Sequence, residues 1–144
     1  MPRLHPERSW FLNYRLVLLV SMSIIVPIGY VIRFAQTPTW AWLNDAIGSL
    51  AYEIFWVLLA AFLSPRTPLR AIAVGVCLIT CGLEWLQLWH PPFLESVRAT
   101  LLGRLVLGNT FSWFDFPPYV VGSVLGWLWA RSAQRVTQRV RHAQ

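Results

Sequence analysis

The strongest constraint on this chain is a series of four long apolar runs separated by short polar segments. They predict helices over approximately 12–33, 43–63, 69–89 and 112–130. Each run is close to the roughly 20 apolar residues that a helix needs to cross the hydrocarbon core of a bilayer. A helix also satisfies its own backbone hydrogen bonds in lipid, where an open strand does not. The runs therefore predict an all-α, integral membrane four-helix bundle.

The composition supports a membrane protein and excludes two other classes. Charged residues make up 12% of the chain, which is about half of their share in a soluble domain. Too little polar surface is therefore left to cover a water-soluble fold. Disorder is excluded because the chain has nine Trp and eight Phe, whereas disordered segments are poor in aromatic residues. We predict that residues 1–144 form a single transmembrane domain with short basic tails.

Arginine is distributed unevenly between the two sides of the predicted membrane. All twelve basic residues are arginine, and nine of them lie in the two tails or in the link between the second and third helices. The other three are Arg33, Arg98 and Arg104. Because basic residues favour the cytoplasmic side, both termini are expected in the cytoplasm. This topology fits a plasma membrane, or an internal membrane that keeps the same topology.

The net charge of +6 points to lipid rather than to nucleic acid. The arginines stand at the ends of apolar runs, where they contact lipid head groups, and they form no patch that would suit nucleic acid. We expect membrane lipid as a partner and no nucleic acid. Other membrane-protein subunits are a further candidate class of partner. The sequence does not identify a cofactor. Cys77 and Cys81 lack a histidine on the same helix, so we interpret them as packing residues and expect no metal.

The longest connection, 90–110, lies on the outer side of the predicted bundle. Leu94, Val97, Leu101 and Leu105 recur in it at helical spacing. This pattern is typical of a short amphipathic helix on the membrane surface, here over 94–107.

Polar residues of the predicted helices gather in the outer half of the membrane. An ionisable group inside the bilayer costs about 2.5–3.5 kcal/mol on insertion scales, so it is paired, protonated or functional. We therefore predict a ligand-binding site from seven residues: Asp45, Glu84, Gln87, Arg98, Arg104, Asp115 and Tyr119. Gly122 and Gly126 have the spacing that allows close packing of the fourth helix on a neighbour.

Two interpretations of the polar residues stay open. In the first, Arg98 and Arg104 meet an anionic group of a small or lipid-linked ligand in an outward-facing pocket. In the second, the chain is an accessory subunit of a larger membrane complex and its acidic residues tie helices together. No catalytic constellation is identified, because no nucleophile has an adjacent base.

A carboxylate at the depth of Glu84 needs a proton, a cation or several donors. The cations on its side of the membrane include Arg98 and Arg104, in the loop that follows the same helix. We therefore expect that loop to fold back and bring Arg98 or Arg104 within ion-pair reach of Glu84 or Asp115.

Several motifs taken together resemble a known family. They are Asp45, Glu84-x-x-Gln87, Arg98-x-x-x-x-Gly103, and Phe111-Ser-Trp-x-Asp115 with Tyr119, Gly122 and Gly126. Over approximately 12–130 the chain resembles the domain-of-unknown-function 2809 family, small bacterial four-helix membrane proteins without an established activity. It is more loosely similar to the VanZ-like (teicoplanin-resistance) proteins, which share the Glu-x-x-Gln pair, a loop arginine, and an aspartate followed by two glycines. The resemblance implies a fold and a candidate site.

Overall fold

The computed structural model describes residues 6–34, 41–108 and 110–142. Within these ranges the chain is all-α, as predicted, with no strand. The helices are α1 (Pro6–Phe34), α2 (Ala41–Leu63), α3 (Leu69–Leu86), α4 (Pro92–Arg98), α5 (Leu101–Leu107) and α6 (Phe116–His142). A single 3-10 turn, Trp113–Asp115, leads directly into α6.

Three of these helices are long and apolar enough to cross a membrane. They are Trp10–Ile32 within α1, the whole of α2 and the whole of α3. Helix α6 does not belong to this group, because two prolines interrupt its apolar part near the start and Arg131 follows that part at once. The chain is thus consistent with a membrane protein that has at least these three spans.

The ends of the helices differ from the predicted ends for local reasons. Helix α3 stops at Leu86 instead of at residue 89, because Pro91 and Pro92 follow and the chain must turn. Helix α6 begins at Phe116 instead of at 112, since Ser112 caps the preceding 3-10 turn. At its other end α6 continues well past residue 130 as an arginine-rich helix.

The prediction of a single amphipathic helix over 94–107 is wrong in detail, because two short helices occupy this segment. Helix α4 ends at Arg98, and Thr100 begins α5 by accepting a hydrogen bond from the Gly103 backbone N–H at 3.0 Å. The turn is so tight that a Cβ on Gly103 would overlap the Val97 carbonyl. An N-cap of this kind starts a new helix in a new direction.

Helix α2 lies at the centre of the fold and packs against α1, α3 and α6, while α6 also packs against α1 and α3. The apolar core lies at the end of the molecule that carries the α2–α3 turn, where Tyr14, Leu18, Leu58 and Ala130 are completely buried. The buried polar residues Glu84, Gln87 and Arg98 are found at the opposite end. The architecture thus separates an apolar half from a polar half.

Candidate functional site

Glu84 is the centre of a hydrogen-bonded group at the polar end, which we call the Glu84 cluster (Glu84, Gln87, Ser112 and Tyr119). Its side chain is 1% exposed. The Ser112 backbone N–H donates to Glu84 Oε1 at 2.6 Å. The amide of Gln87 and the hydroxyl of Tyr119 donate to Oε2 at 2.9 and 3.1 Å. Three donors from three segments therefore converge on one carboxylate.

Local structure explains why these donors meet. Glu84 lies in the last turn of α3, and Gln87, which caps that helix, follows at the i+3 spacing that places both side chains on one face. Ser112 precedes the 3-10 turn, so its N–H is not used by a helix. Tyr119 lies in the first turn of α6. The end of α3 and the start of α6 thus face each other across the carboxylate.

Asp115 extends the polar contacts to α2. Its Oδ1 accepts a hydrogen bond from the Ser49 hydroxyl at 2.9 Å. The hydroxyl of Tyr52, one turn further along α2, donates to the Val106 carbonyl of α5 at 2.9 Å. Helices α5 and α6 are therefore both hydrogen-bonded to the central helix α2.

Asp45 was predicted to join this site but lies apart from it. It is exposed near the start of α2, about one turn before Ser49, and it makes none of the hydrogen bonds around Glu84 or Asp115. Its exposure agrees with an ordinary place for an acid near a helix N-terminus.

The prediction of an ion pair between a loop arginine and Glu84 or Asp115 is wrong. Arg98 does fold back and is 3% exposed, but it donates to the Leu86 and Trp89 carbonyls at 2.8 and 3.0 Å and to Glu95 at 2.9 Å. Arg104 is exposed. Leu86 is the last residue of α3 and Trp89 lies just beyond the helix. The Leu86 carbonyl also accepts a hydrogen bond from the Trp89 backbone N–H, and the guanidinium adds to it the donors that a helix end lacks.

Glu95 completes this second group, which we call the Arg98 anchor (Arg98, Glu95 and His90). The hydrogen bond with His90 at 2.9 Å and the one from Arg98 hold the pKa of the Glu95 carboxyl below its ordinary value. The anchor fixes α4 against the end of α3.

Glu53 was not among the predicted site residues, although it is the most deeply buried acid of the described chain. One oxygen accepts a hydrogen bond from Ser123 of α6, and the other has no donor among the described residues. The sequence signal for it was its position in the middle of a predicted span. Ser112 was also missed as a site residue. It stands in the Phe111-Ser-Trp-x-Asp115 motif, but its residue type gives no indication of a role because it acts through its backbone N–H.

Gly122 and Gly126 bring α6 close to α2. A Cβ on Gly122 would lie 2.7 Å from the Glu53 Cβ, and one on Gly126 would lie 2.8 Å from the Val57 Cβ. The two glycines thus form the contact surface of α6 opposite Glu53 and Val57.

The Glu84 cluster is closed rather than an open pocket. Gln87 and Tyr119 are each 7% exposed, and Gly108, at a φ of 65°, lies directly against the Gln87 amide. One acceptor, Gln87 Oε1, is buried without a hydrogen-bond donor among the described residues. The cluster is therefore rich in acceptors, and no cationic side chain of the described residues contacts its carboxylate.

Metal binding finds no support among the described residues, which contain no group of three or more His, Cys, Asp or Glu side chains able to hold an ion. Cys77 and Cys81 are free and half-buried.

A comparison with known protein families assigns the chain to one of them. The model of the family described as "Protein of unknown function (DUF2809)" matches residues 38–123. The chain belongs to this family, as its motifs predicted. The match covers α2 to α5 and the start of α6, so the whole Glu84 cluster falls within it. No solved structure matches the chain.

Proposed function

We propose that the chain is a single-domain, four-helix membrane protein that serves as a subunit of a larger membrane-protein assembly. Three apolar helices support the membrane location. The apolar first half of α6, which packs along α2 and α3, supports a fourth crossing. The nine-to-three distribution of arginine favours both termini in the cytoplasm. The bacterial inner membrane is the location that fits this topology.

The observation that supports the subunit role is that both oxygens of the Glu84 carboxylate are hydrogen-bonded within the chain. Both of its oxygens accept hydrogen bonds from other parts of the chain, and Asp115 is bonded to α2 in the same way. Acids in these positions tie helices together, and such ties leave little for a substrate to contact. The outward side chains of α1, such as Leu16, Val20 and Ile24, are exposed and apolar. They would contact lipid or a neighbouring subunit.

Extraction in a mild detergent followed by native mass spectrometry tests this role. We expect the full chain to leave the membrane together with another membrane protein, at a fixed ratio that survives dilution. Glu84→Gln should lower the melting temperature of the chain because the carboxylate ties are weakened, whereas the change Arg104→Gln at an exposed arginine should not. A bare monomer of the wild-type chain would contradict the subunit role.

A second function, the binding of a small or lipid-linked ligand, is favoured by Gln87 Oε1. A buried acceptor without a donor costs about 1–3 kcal/mol, which a ligand hydroxyl or amine would recover. Since no cation touches Glu84 or Asp115 among the described residues, the ligand would be a hydrogen-bond donor. This differs from the anionic group that the sequence led us to expect.

The same spectra distinguish the two functions. Ligand binding predicts a co-purified small molecule on the wild-type monomer, its loss in Gln87→Met and its retention in Glu95→Gln, which removes a carboxylate outside the cluster. A molecule that is retained by all three proteins would not be bound at Gln87, and its retention would contradict this second function.

A further inference from the structure

An arginine-lined groove lies at the opposite end of the molecule from Glu84, where the α2–α3 turn meets α6. It is open and has a volume of about 430 Å³. Arg66 and Arg70 line it from the turn and the start of α3, and Arg131 lines it from α6. No acidic residue occurs among the described residues of its lining. Three positive charges therefore share one groove.

Aromatic rings hold these arginines in place without using their hydrogen-bonding capacity. The guanidinium carbons of Arg70 and Arg131 lie 6.0 and 5.2 Å from the centre of the same Trp127 ring. That of Arg66 lies 5.8 Å from the Phe11 ring. These distances are typical of cation–π contacts. Among the hydrogen bonds of the described residues, none has Arg66, Arg70 or Arg131 as its donor, and the contacts recorded for these guanidinium groups are those with the aromatic rings.

The groove lies at the level of lipid head groups. The turn that carries Arg66 joins α2 and α3, which are both apolar enough to cross a membrane, so it must emerge at the membrane surface. Trp127, one turn before Arg131, is the residue type that favours this interface. A groove with these properties lies where the phosphates of one leaflet are most concentrated.

The chemistry of the lining selects the ligand. Like charges in one groove repel each other, and an anion between them reduces that repulsion. Guanidinium groups match the oxygens of phosphate with paired hydrogen bonds. We propose that this groove binds a phosphate group, and that its source is the head group of an anionic phospholipid. The proposal rests on the membrane location proposed above but not on the subunit role, because it concerns the other end of the molecule from the Glu84 cluster.

Native mass spectrometry of the full chain in detergent tests the binding. The protein is titrated separately with phosphatidylglycerol, with phosphatidylcholine and with inorganic phosphate. We expect one saturable phosphatidylglycerol site, at least about tenfold tighter than the site for phosphatidylcholine, whose choline offsets the phosphate charge. Displacement of the lipid by an equal concentration of inorganic phosphate would support a phosphate site but would assign it to a soluble phosphate.

Matched variants show whether the groove is responsible. Arg66→Gln with Arg70→Gln should weaken phosphatidylglycerol binding by about tenfold or more. Arg135→Gln with Arg139→Gln removes the same charge further along α6 and should change it by less than about threefold. Because Arg66 and Arg70 also favour the orientation of the chain, Arg66→Lys with Arg70→Lys is the second test. It keeps the charge but removes the paired geometry, and binding should fall by about threefold or more.

Three results would overturn the proposal. The first is equal affinity of the wild-type chain for phosphatidylglycerol and phosphatidylcholine. The second is equal loss of binding in the groove variant and in the Arg135 and Arg139 variant, which would indicate general attraction to positive charge. The third is unchanged binding in the lysine variant.

Discussion

Glu84 and Arg98 are two buried charged side chains near the same end of α3 that make no contact with each other. Glu84 accepts hydrogen bonds that bind α3 to α6. Arg98 donates hydrogen bonds that bind α4 to the Leu86 carbonyl at the end of α3 and to the Trp89 carbonyl just beyond it. The polar end of the molecule is therefore held by two separate groups, and each should contribute separately to the free energy of unfolding.

This separation predicts additive effects of Glu84→Gln and Arg98→Ala. Arg98→Ala removes the charge-assisted hydrogen bonds to the Leu86 and Trp89 carbonyls and should cost about 2–3 kcal/mol of the free energy of unfolding. Residues without shared partners usually add to within about 0.5 kcal/mol. Denaturant unfolding in detergent is measured for the wild type, both single variants and the double variant. The double variant should lose the sum of the two single losses of unfolding free energy.

Arg104→Ala is the control for Arg98→Ala, since Arg104 is an exposed arginine of the same loop. It should leave the unfolding free energy unchanged. A double variant that costs no more than either single variant would show instead that Glu84 and Arg98 act as one unit.

Glu95 predicts a pH dependence of the α4 anchor. Its carboxyl has a pKa lowered from 4.5 by His90 and then by Arg98. A lowered pKa in the folded chain gives a stabilisation that is fully present above the unfolded value and is lost as the pH falls through the folded value. Amide hydrogen exchange over 92–98 should therefore accelerate as the pH is lowered below about 4.5, after correction for the intrinsic exchange rate.

Glu95→Gln is the control, because it removes the titrating group and should remove the pH-dependent part of that exchange. Acceleration of the same size in Glu95→Gln would assign the effect to another group.

At the residue scale, sequence reasoning located the polar positions but not their partners. The depth of Glu84 in an apolar run marked it as costly and therefore bonded. Its partner Ser112 contributes a backbone N–H, which every residue except proline carries, so residue type gives no indication of it. The main partners of Arg98 are the Leu86 and Trp89 carbonyls, which it can reach because α3 ends at Leu86.

At the element scale, the contact between α6 and α2 depends on two small residues. Gly122 lies against Glu53 and Gly126 lies against Val57, at distances that leave no room for a side chain. Close approach of this kind is a main source of helix association in lipid, where burial of apolar groups contributes little. The same approach places Ser123 within hydrogen-bonding distance of Glu53.

Gly126→Ala tests the α2–α6 contact. The added Cβ would lie 2.8 Å from the Val57 Cβ, so α6 must move away from α2. We expect a loss of about 1–3 kcal/mol, as for other overpacked sites, measured as a shift of the thermal unfolding midpoint in detergent.

Gly82→Ala is the matched control for this contact, since a Cβ on Gly82 meets nothing within 4 Å. It should leave stability unchanged or raise it by up to about 1 kcal/mol through helix propensity. Equal losses in the two variants would mean that the cost is intrinsic to the substitution.

Sequence periodicity predicted which segments are helical and missed where some of them end. The apolar runs placed α2 almost to the residue. The outer segment was expected as one amphipathic helix because periodicity does not register the Thr100 cap, whose effect depends on a backbone turn. Helix α6 was expected to end near 130, since a search for apolar runs cannot detect a helix that continues as an arginine-rich segment.

At the scale of the whole molecule, the polar and apolar halves differ in how they are held together. The half with the α2–α3 turn is packed by residues such as Leu18, Leu58 and Ala130. The other half is held by the Glu84 cluster and the Arg98 anchor. Arginines lie at the surface of the apolar half, which the charge distribution favours as the cytoplasmic half. The depth of each side chain in the membrane, and the side on which each loop lies, depend on how many times the chain crosses the membrane.

The most direct test is a topology map with reporters fused at three positions: in the 64–68 turn, after Pro92 and after Gln144. Four crossings predict that the 64–68 turn and the C-terminus are cytoplasmic and that Pro92 is external. The decisive comparison is the C-terminal reporter, because α6 is the helix whose composition leaves its crossing open. A C-terminus on the same side as Pro92 would mean that α6 does not cross, and it would contradict the proposed four-helix membrane protein.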